Sequence, residues 1–430
     1  MAPIRTLLSG LLGAALLIPV QPSAADADGR TVEYRGLRLA LPGDWRVVDL
    51  QRDPDACLRL DLPTLYLGHA GSQAECSGRA VRSRADTLHL EPLDGAPARA
   101  DIPTLRVEGS DGIPEAAGDS HEVRYALRRS GVMATLSYGE APDAVRELLA
   151  RAGTGDGAAP GDRGTSAQPA SVVAGPKAVT AQAPFTGAGF DACTAPTQRA
   201  MDGWRSASPF GAVGIYIGGR ARACAQPQLT AGWVRKQAEA GWHLMPLWVG
   251  PQPWRGSGTG LSTDPSEADQ EGTEAAEGAV QAARALGLAD GTVLYNDLEH
   301  YTDRTTWDPP VIAYLTAWTV RLHELGYRAG AYVSASSGGK ALSDHHDQAP
   351  WAMPDVLWIA SWNAKATVSD ADVGLPAGTH QWAGRRRAHQ YRGDHNDTYD
   401  GVTINIDRSW IDIDPGGLAD PVQARPLLLS

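Results

Sequence analysis

The chain has 430 residues, 43% of them apolar and 20% charged, and a formal net charge of -12. That length exceeds one ordinary core and implies two domains with a connector. The acidic balance argues against a nucleic-acid partner, because phosphate binding needs a basic patch. The one dense basic run, Arg385-Arg386-Arg387, reads as a solvated loop.

Residues 1–27 carry the pattern of a secretory signal peptide: Arg5, an apolar run from Leu7 to Val20, and small residues at Ser23-Ala24-Ala25 suited to cleavage. The apolar run is short and broken by Gly13 and Pro19, so it predicts export without a membrane anchor. Export makes the cysteines a disulfide question. Cys57 and Cys76 lie in the first half, Cys193 and Cys224 in the second, and pairing within each half lets each oxidise alone. A zinc site lacks a short C-x-x-C and suitably spaced histidines.

Residues 28–151 read as a small β-rich domain of unknown role. Short strand-like runs at Val32–Tyr34, Leu37–Leu41, Trp45–Val48, Val123–Leu127 and Val132–Leu136 are punctuated by turns, with one helix near Pro142–Arg151. His69, His89 and His121 are scattered there and read as surface residues. Residues 152–183, rich in Gly, Ala, Pro, Ser and Thr, have the composition of a flexible linker.

From 184 to 416 strands alternate with amphipathic helices, the signature of an α/β fold with a parallel sheet. Eight strand-like runs follow: 189–191, 212–217, 243–249, 292–299, 328–333, 356–362, 389–391 and 403–407. Helix candidates at 230–240, 267–286 and 311–325 each end at a glycine, Gly241, Gly287 or Gly326. Eight strands in this span fit a (β/α)8 TIM-type barrel. The open doubly wound sheet lacks its Gly-rich phosphate loop. Residues 417–430 read as a C-terminal tail.

In such a barrel reactive groups gather at the C-terminal ends of strands. Asp191 closes the first strand, Asp297 and Glu299 the fourth, and Asp407 the eighth. Asp297 and Glu299 are two residues apart and so share a face, a costly placement for two acids unless they have work to do. Opposed carboxylates without a cofactor suit glycoside hydrolysis, with Glu299 as the acid and Asp297 holding the charge. Their spacing along a strand, roughly 7 Å, lies between the separations for retention and inversion. Sugars stack on aromatic rings, and 12 of the 13 tryptophans lie in the second half. Trp318 and Trp358 read as core. Trp248, Trp254, Trp362 and Trp382 fall at or beyond strand ends and are candidate substrate contacts, as are Tyr216 and Tyr391.

Two metal readings are weak. Asp344-His345-His346-Asp347 has ligand types on a loop, and Asp394–Gly401 resembles a calcium loop without its sixth-place glycine or twelfth-place glutamate.

The segments Gly189–Pro196, Gly214–Gly219, Tyr295–Glu299 and Ile406-Asp407 resemble the glycoside-hydrolase-like domains called domain of unknown function 1906, over about residues 187–415. That family is similar to the lysozyme-type muramidases of glycoside hydrolase family 25, with an Asp on strand one, Asp-x-Glu on strand four and an Asp on strand eight. Asp191, Asp297, Glu299 and Asp407 match those places. The resemblance implies Glu299 as general acid, with Asp297 supporting a retaining path that the substrate's acetamido group can assist. Ala192-Cys193 after the first Asp and Trp362 near strand six depart from the muramidase pattern and bear on the substrate. The expectation is a secreted, monomeric hydrolase of cell-wall peptidoglycan that needs no cofactor. The rival is a non-catalytic glycan-binding barrel. A cation-dependent esterase or deacetylase would need the His345-His346 region to reach the acids.

Overall fold

Arg35 and Gly36, both at positive φ, make the two-residue turn that joins β1 (Arg30–Tyr34) to β2 (Leu37–Leu41), with Tyr34 opposite Leu37. In β2 the leucines at 37, 39 and 41 alternate inward, as period two requires. The chain continues through β3 (Arg46–Asp49), β4 (Thr64–Leu67), β5 (Thr87–Pro92), β6 (Thr104–Val107), β7 (Glu122–Leu127), β8 (Val132–Ser137), α1 (Asp143–Ala150) and β9 (Gly153–Thr154). Strands β3 to β8 form one mixed sheet in the order β3-β4-β5-β8-β7-β6, while β9 pairs with β2 beside β1. Val145 and Leu149 of α1 join Leu39, Leu88, Tyr125 and Leu136 in one core. Strands β4, β5 and β6 have no counterpart in the sequence reading; β4 and β5 are short and largely buried on both faces, so alternation does not mark them.

This computed structural model describes residues 30–154 and 183–417, apart from 79, 100, 109–111, 119 and 257. The expected signal segment, residues 155–182 of the expected linker, and all of the tail but Gly417 lie outside the described residues. The linker's first residues are not loop: Gly153-Thr154 is β9.

The second half is a closed barrel of β10 (Phe185–Asp191), β11 (Phe210–Gly218), β12 (His243–Trp248), β13 (Val293–Leu298), β14 (Arg328–Ser334), β15 (Val356–Ala360), β16 (Arg386–Tyr399) and β17 (Val402–Ile413). Between them run α2 (Gln198–Ala207), α3 (Ala231–Glu239), α4 (Pro265–Leu286), α5 (Arg304–Glu324) and α6 (Gly338–His345). Thr197, Thr230, Asp264 and Asp303 cap the first four through their side chains, and Gly287 ends α4 in the left-handed region at φ 81°. Asp303 starts α5 two turns earlier than expected, with Pro309 and Pro310 inside the helix rather than before it.

The expected (β/α)8 pattern is corrected in two ways. No helix follows β15 or β16 among the described residues, and β17 runs antiparallel to both β16 and β10. The cause is local. Asp400 and Gly401, at φ 49° and 70°, form a two-residue hairpin turn with Tyr399 opposite Val402. The stretch read as calcium-loop-like is this hairpin. Register shifts between Gln390 and His395 bend the ribbon, and Tyr399 at its tip meets Trp204 of α2 edge-on.

The barrel interior is filled by Tyr216, Leu247, Tyr295, Trp358 and Ile411 among others. Trp318 and Trp358 are core, as expected. Gly330 is needed there, since a Cβ would stand 2.4 Å from the Tyr295 ring. Arg387 is not solvated. It pairs with Asp370 at 2.8 Å and donates to the carbonyls of Gln381 and Val368.

The two halves are in close contact. Residues 58–60 bond along 223–225, through Leu60 N–H to Ala223 O and Ala225 N–H to Leu58 O. Glu122 sits buried between Arg84, 3.3 Å away, and Arg222 of the barrel. Burial alone would raise the Glu122 pKa, but the two guanidiniums outweigh it and lower it. Both expected disulfides are present, Cys57–Cys76 and Cys193–Cys224, and they pack in one cluster with Val81 and Ala223.

Candidate active site

The strand register brings the four acids to one end of the barrel, its mouth, where β10 to β16 have their C-terminal ends. Asp191 is the last residue of β10 and lies opposite Asp407 of β17. Asp407 does not close its strand. It stands midway along β17, and because that strand is reversed its early residues, not its late ones, meet the mouth. Asp297 is in the last turn of pleat of β13 and Glu299 follows just beyond it.

Gln390 of β16, 1% exposed, links the first and last strands. Its amide nitrogen donates to Asp191 Oδ1 and to Asp407 Oδ2, each at 3.2 Å. Its carbonyl oxygen accepts from Tyr332 Oη at 3.0 Å and from Trp362 Nε1 at 2.9 Å. Both faces of the amide are thus satisfied, and its orientation is fixed by the carboxylates on one side and two donors on the other. Tyr216 donates to Asp191 Oδ2 at 2.9 Å, and the Asp394 N–H donates to Asp407 Oδ1.

A second amide orders the other wall. Gln252, in the loop after β12, donates to the Asp297 carbonyl at 2.7 Å and accepts from the Glu299 N–H at 2.8 Å. It holds the backbone where β13 leaves the barrel, and so the direction in which Glu299 departs. Neither glutamine figures as a functional residue in the sequence reading. A lone buried Gln carries no spacing signal, and the partners of Gln390 lie 17 to 199 residues away in sequence.

Asp191 and Asp297 are only 4% and 3% exposed. Burial, reinforced by Asp407, holds the Asp191 carboxyl well above the usual range, against the pull of the Tyr216 and Gln390 hydrogen bonds. Burial likewise raises Asp297 well above that range, with Glu299, Asp191 and Asp407 adding to it. Asp297 Oδ1 is buried without a hydrogen-bond partner. Burial thus works against the charged form of Asp297. Burial also raises Tyr216 and Tyr332 well above the ordinary phenol, so both serve as neutral donors.

The aromatic candidates divide. Tyr216 and Trp362 join the acids. Trp362, just after β15, is 60% exposed and lies over Gly393, where a Cβ would be 2.2 Å from the ring. Trp382 is 1% exposed, donates to the Pro354 carbonyl and meets His346 edge-on; it is core, away from the acids. Tyr391 follows Gln390 in β16, so it takes the opposite face, beside Arg408. Trp248 is buried against Gly218 and lines a separate cavity of about 360 Å³ between the halves, with His121, Tyr138 and Arg220. Trp254 is buried, donates to Thr259 Oγ1 and lies under Arg82.

The metal readings find no support in the geometry. Asp344 pairs with Arg304 and Lys340, His345 with the Ala341 carbonyl and His346 with Asp347. No group of three or more His, Cys, Asp or Glu among the described residues is arranged to hold a metal ion.

Residues 202–411 match the model of the Rv2525c-like, glycoside hydrolase-like domain. The match runs from α2 to β17. Among solved structures, an uncharacterised protein of B. stearothermophilus is 19% identical, covering 52% of this chain and 95% of its own, at a TM-score of 0.36. The Tat-secreted protein Rv2525c of Mycobacterium tuberculosis, in complex with L-tartrate, is 15% identical over 53% of this chain and 96% of its own, at 0.37. The spore cortex lytic enzyme SleM of Clostridium perfringens is 14% identical over 54% of this chain and 68% of its own, at 0.33. No curated protein matches the sequence.

Proposed function

We propose that residues 184–416 form a secreted glycoside hydrolase that cuts the glycan of bacterial peptidoglycan, in the manner of the family 25 muramidases its acid motif resembles. Residues 28–151 form a separate β-rich unit packed on it. The observation that carries this reading is the gathering of the four acids at one barrel mouth, Asp191 and Asp407 bridged by Gln390 and Asp297 within electrostatic reach of the other three, with Trp362 exposed and bonded to Gln390.

The chemistry follows from the electrostatics. Ionising both members of a close carboxyl pair is costly, and burial, with Glu299 and the other acids adding to it, raises the Asp297 carboxyl well above the usual range, so the pair keeps a proton to give. Glu299, the less buried of the two, gives that proton to the glycosidic oxygen as the bond to the leaving sugar breaks. Asp297 is left as the carboxylate facing the positive charge that develops on the sugar ring or its acetamido group. Asp191 and Asp407, held by Gln390, line the opposite side. The Trp362 ring offers an apolar face for a sugar to stack on. Two disulfides suit an oxidising compartment outside the cytoplasm. No described helix is long and apolar enough to cross a membrane.

The test is to incubate purified protein with insoluble peptidoglycan, reduce the new ends with borohydride and identify the sugar that carries them. New muramic-acid ends support the reading. Release of peptides without new sugar ends rejects it. The non-catalytic alternative, a barrel that grips glycan uncut, draws on the deep burial of Asp191 and Asp297 and predicts binding with no new ends.

A further inference from the structure

One segment of the N-terminal half crosses the barrel mouth. Ala74 accepts at its carbonyl from the Asn405 N–H of β17 at 2.8 Å, and Glu75 Oε2 accepts from Asn396 Nδ2 of β16 at 3.3 Å. Gly78 lies against Cys193, just past β10, where a Cβ would be 3.5 Å from the Cys193 nitrogen. Ala80 packs on the inner barrel core. Gly78 and Ala80 together roof a small cavity of about 10 Å³ whose other walls include Tyr216, Cys193 and Asp297. Val81 N–H then donates to the Ala221 carbonyl past β11, at 3.3 Å. Arg82 accepts from Thr259 Oγ1 in the loop after β12, at 2.6 Å.

The described residues of 74–84 therefore span the mouth above β16 and β17, β10, β11 and β12. The exits of β13, β14 and β15 stay open. There Glu299 is half-buried, His300 and Ser336 are exposed, and Trp362 presents its ring. The covering segment is a wall and not a hinged lid. One end is tied by Cys57–Cys76, which packs against Cys193–Cys224 of the barrel. At the other end Arg84 is fully buried against Glu122 and donates to the carbonyls of Gly219, Arg220 and Arg222.

A hydrolase that cuts inside a polymer needs a groove open on both sides of its acids, since the strand must pass across. Among the described residues, one side of Asp297 is roofed by Gly78 and Ala80, and the exposed ring of Trp362 lies on the side left open. We propose that segment 74–84 makes the cleft blind, so that the barrel takes the end of a glycan strand and not its middle. This rests on the glycan-cleaving reading of the acid cluster for its substrate class.

The test uses the full chain and peptidoglycan glycan strands of several defined lengths. Glu299→Gln protein is titrated with each, and the number of molecules bound per strand is measured by analytical ultracentrifugation. A blind cleft predicts one molecule per strand whatever its length; a number that climbs in proportion to length overturns it. Wild-type protein is then sampled early in a digest. Release of the smallest fragment alone supports the proposal, and mid-length fragments at the first time points overturn it while leaving hydrolysis intact. Length-independent binding without any new sugar ends would leave the blind cleft standing and reject the hydrolase reading.

Discussion

Replacing Gln390 with Leu removes the amide that joins the acids and leaves a side chain of similar size. Four hydrogen bonds go: two donated to Asp191 and Asp407, and two accepted from Tyr332 and Trp362. Trp362 is mostly exposed and can turn to water, so its bond costs little. The two bonds to carboxyls and the one from Tyr332 each count for about 1 kcal/mol net. The expected loss is about 3 kcal/mol at neutral pH. The sign of its pH dependence is set by Asp191, whose folded pKa is already raised by burial. Without the Gln390 donor that pKa rises further. A raised carboxyl costs nothing below the unfolded value of about 3.9, where it is protonated in both states, and costs more as pH climbs from there toward the folded value. Gln390→Leu is therefore least harmful in acid, near the unfolded carboxyl value, and more harmful as pH rises. Urea unfolding of both proteins at several pH values measures this. A loss under about 0.5 kcal/mol, or one independent of pH, refutes the bridging role of Gln390.

Other perturbations separate the site from the scaffold. Asp297→Asn removes a buried carboxyl whose pKa is raised, so the variant should match wild type in stability near pH 4 and exceed it above. The gain rises by up to about 1.4 kcal/mol per pH unit until the folded pKa is passed, read by denaturant titration. Trp362→Ala should weaken glycan binding by about tenfold, the order of one aromatic contact, with little change in melting temperature because the ring is exposed. Calorimetric titration and thermal unfolding together check this. Glu122→Gln leaves Arg84 and Arg222 buried without their counter-charge and should cost about 3–5 kcal/mol. Glu122 has a lowered folded pKa, so its stabilising share is present above the unfolded value and lost as pH falls through the folded one. The gap between variant and wild type should narrow in acid, as chemical denaturation at pH 3 and pH 7 would reveal.

The acids were legible in sequence because strand ends are. A run of apolar residues closing on Asp191 or on Asp297-x-Glu299 states both burial and face. Asp407 lies among the other acids although its strand is reversed and does not end there. The signal for that reversal is Asp400-Gly401 between two strand-like runs, a strong hairpin turn whose surrounding acids also mimic a calcium loop. For Tyr391 strand parity outweighs position at a strand end: Gln390 points in, so its neighbour points out. Trp382 stood beyond a strand end in sequence but folds back beneath α6, a tertiary choice that no local pattern expresses. The 74–84 segment was invisible for the same reason. Its Ala, Cys, Ser and Gly residues read as loop, and its meaning lies in partners more than a hundred residues away.

The central claim, that Glu299 delivers the proton that breaks a glycosidic bond, is tested most directly by comparing wild type with Glu299→Gln on purified peptidoglycan. The measurement is the initial rate of new reducing ends, beside the affinity of each protein for the same glycan. Loss of a positioned general acid is expected to cut the rate by about 10² to 10⁴ while affinity changes less than threefold. Equal rates for the two proteins, or equal absence of new ends from both with binding intact, would contradict it.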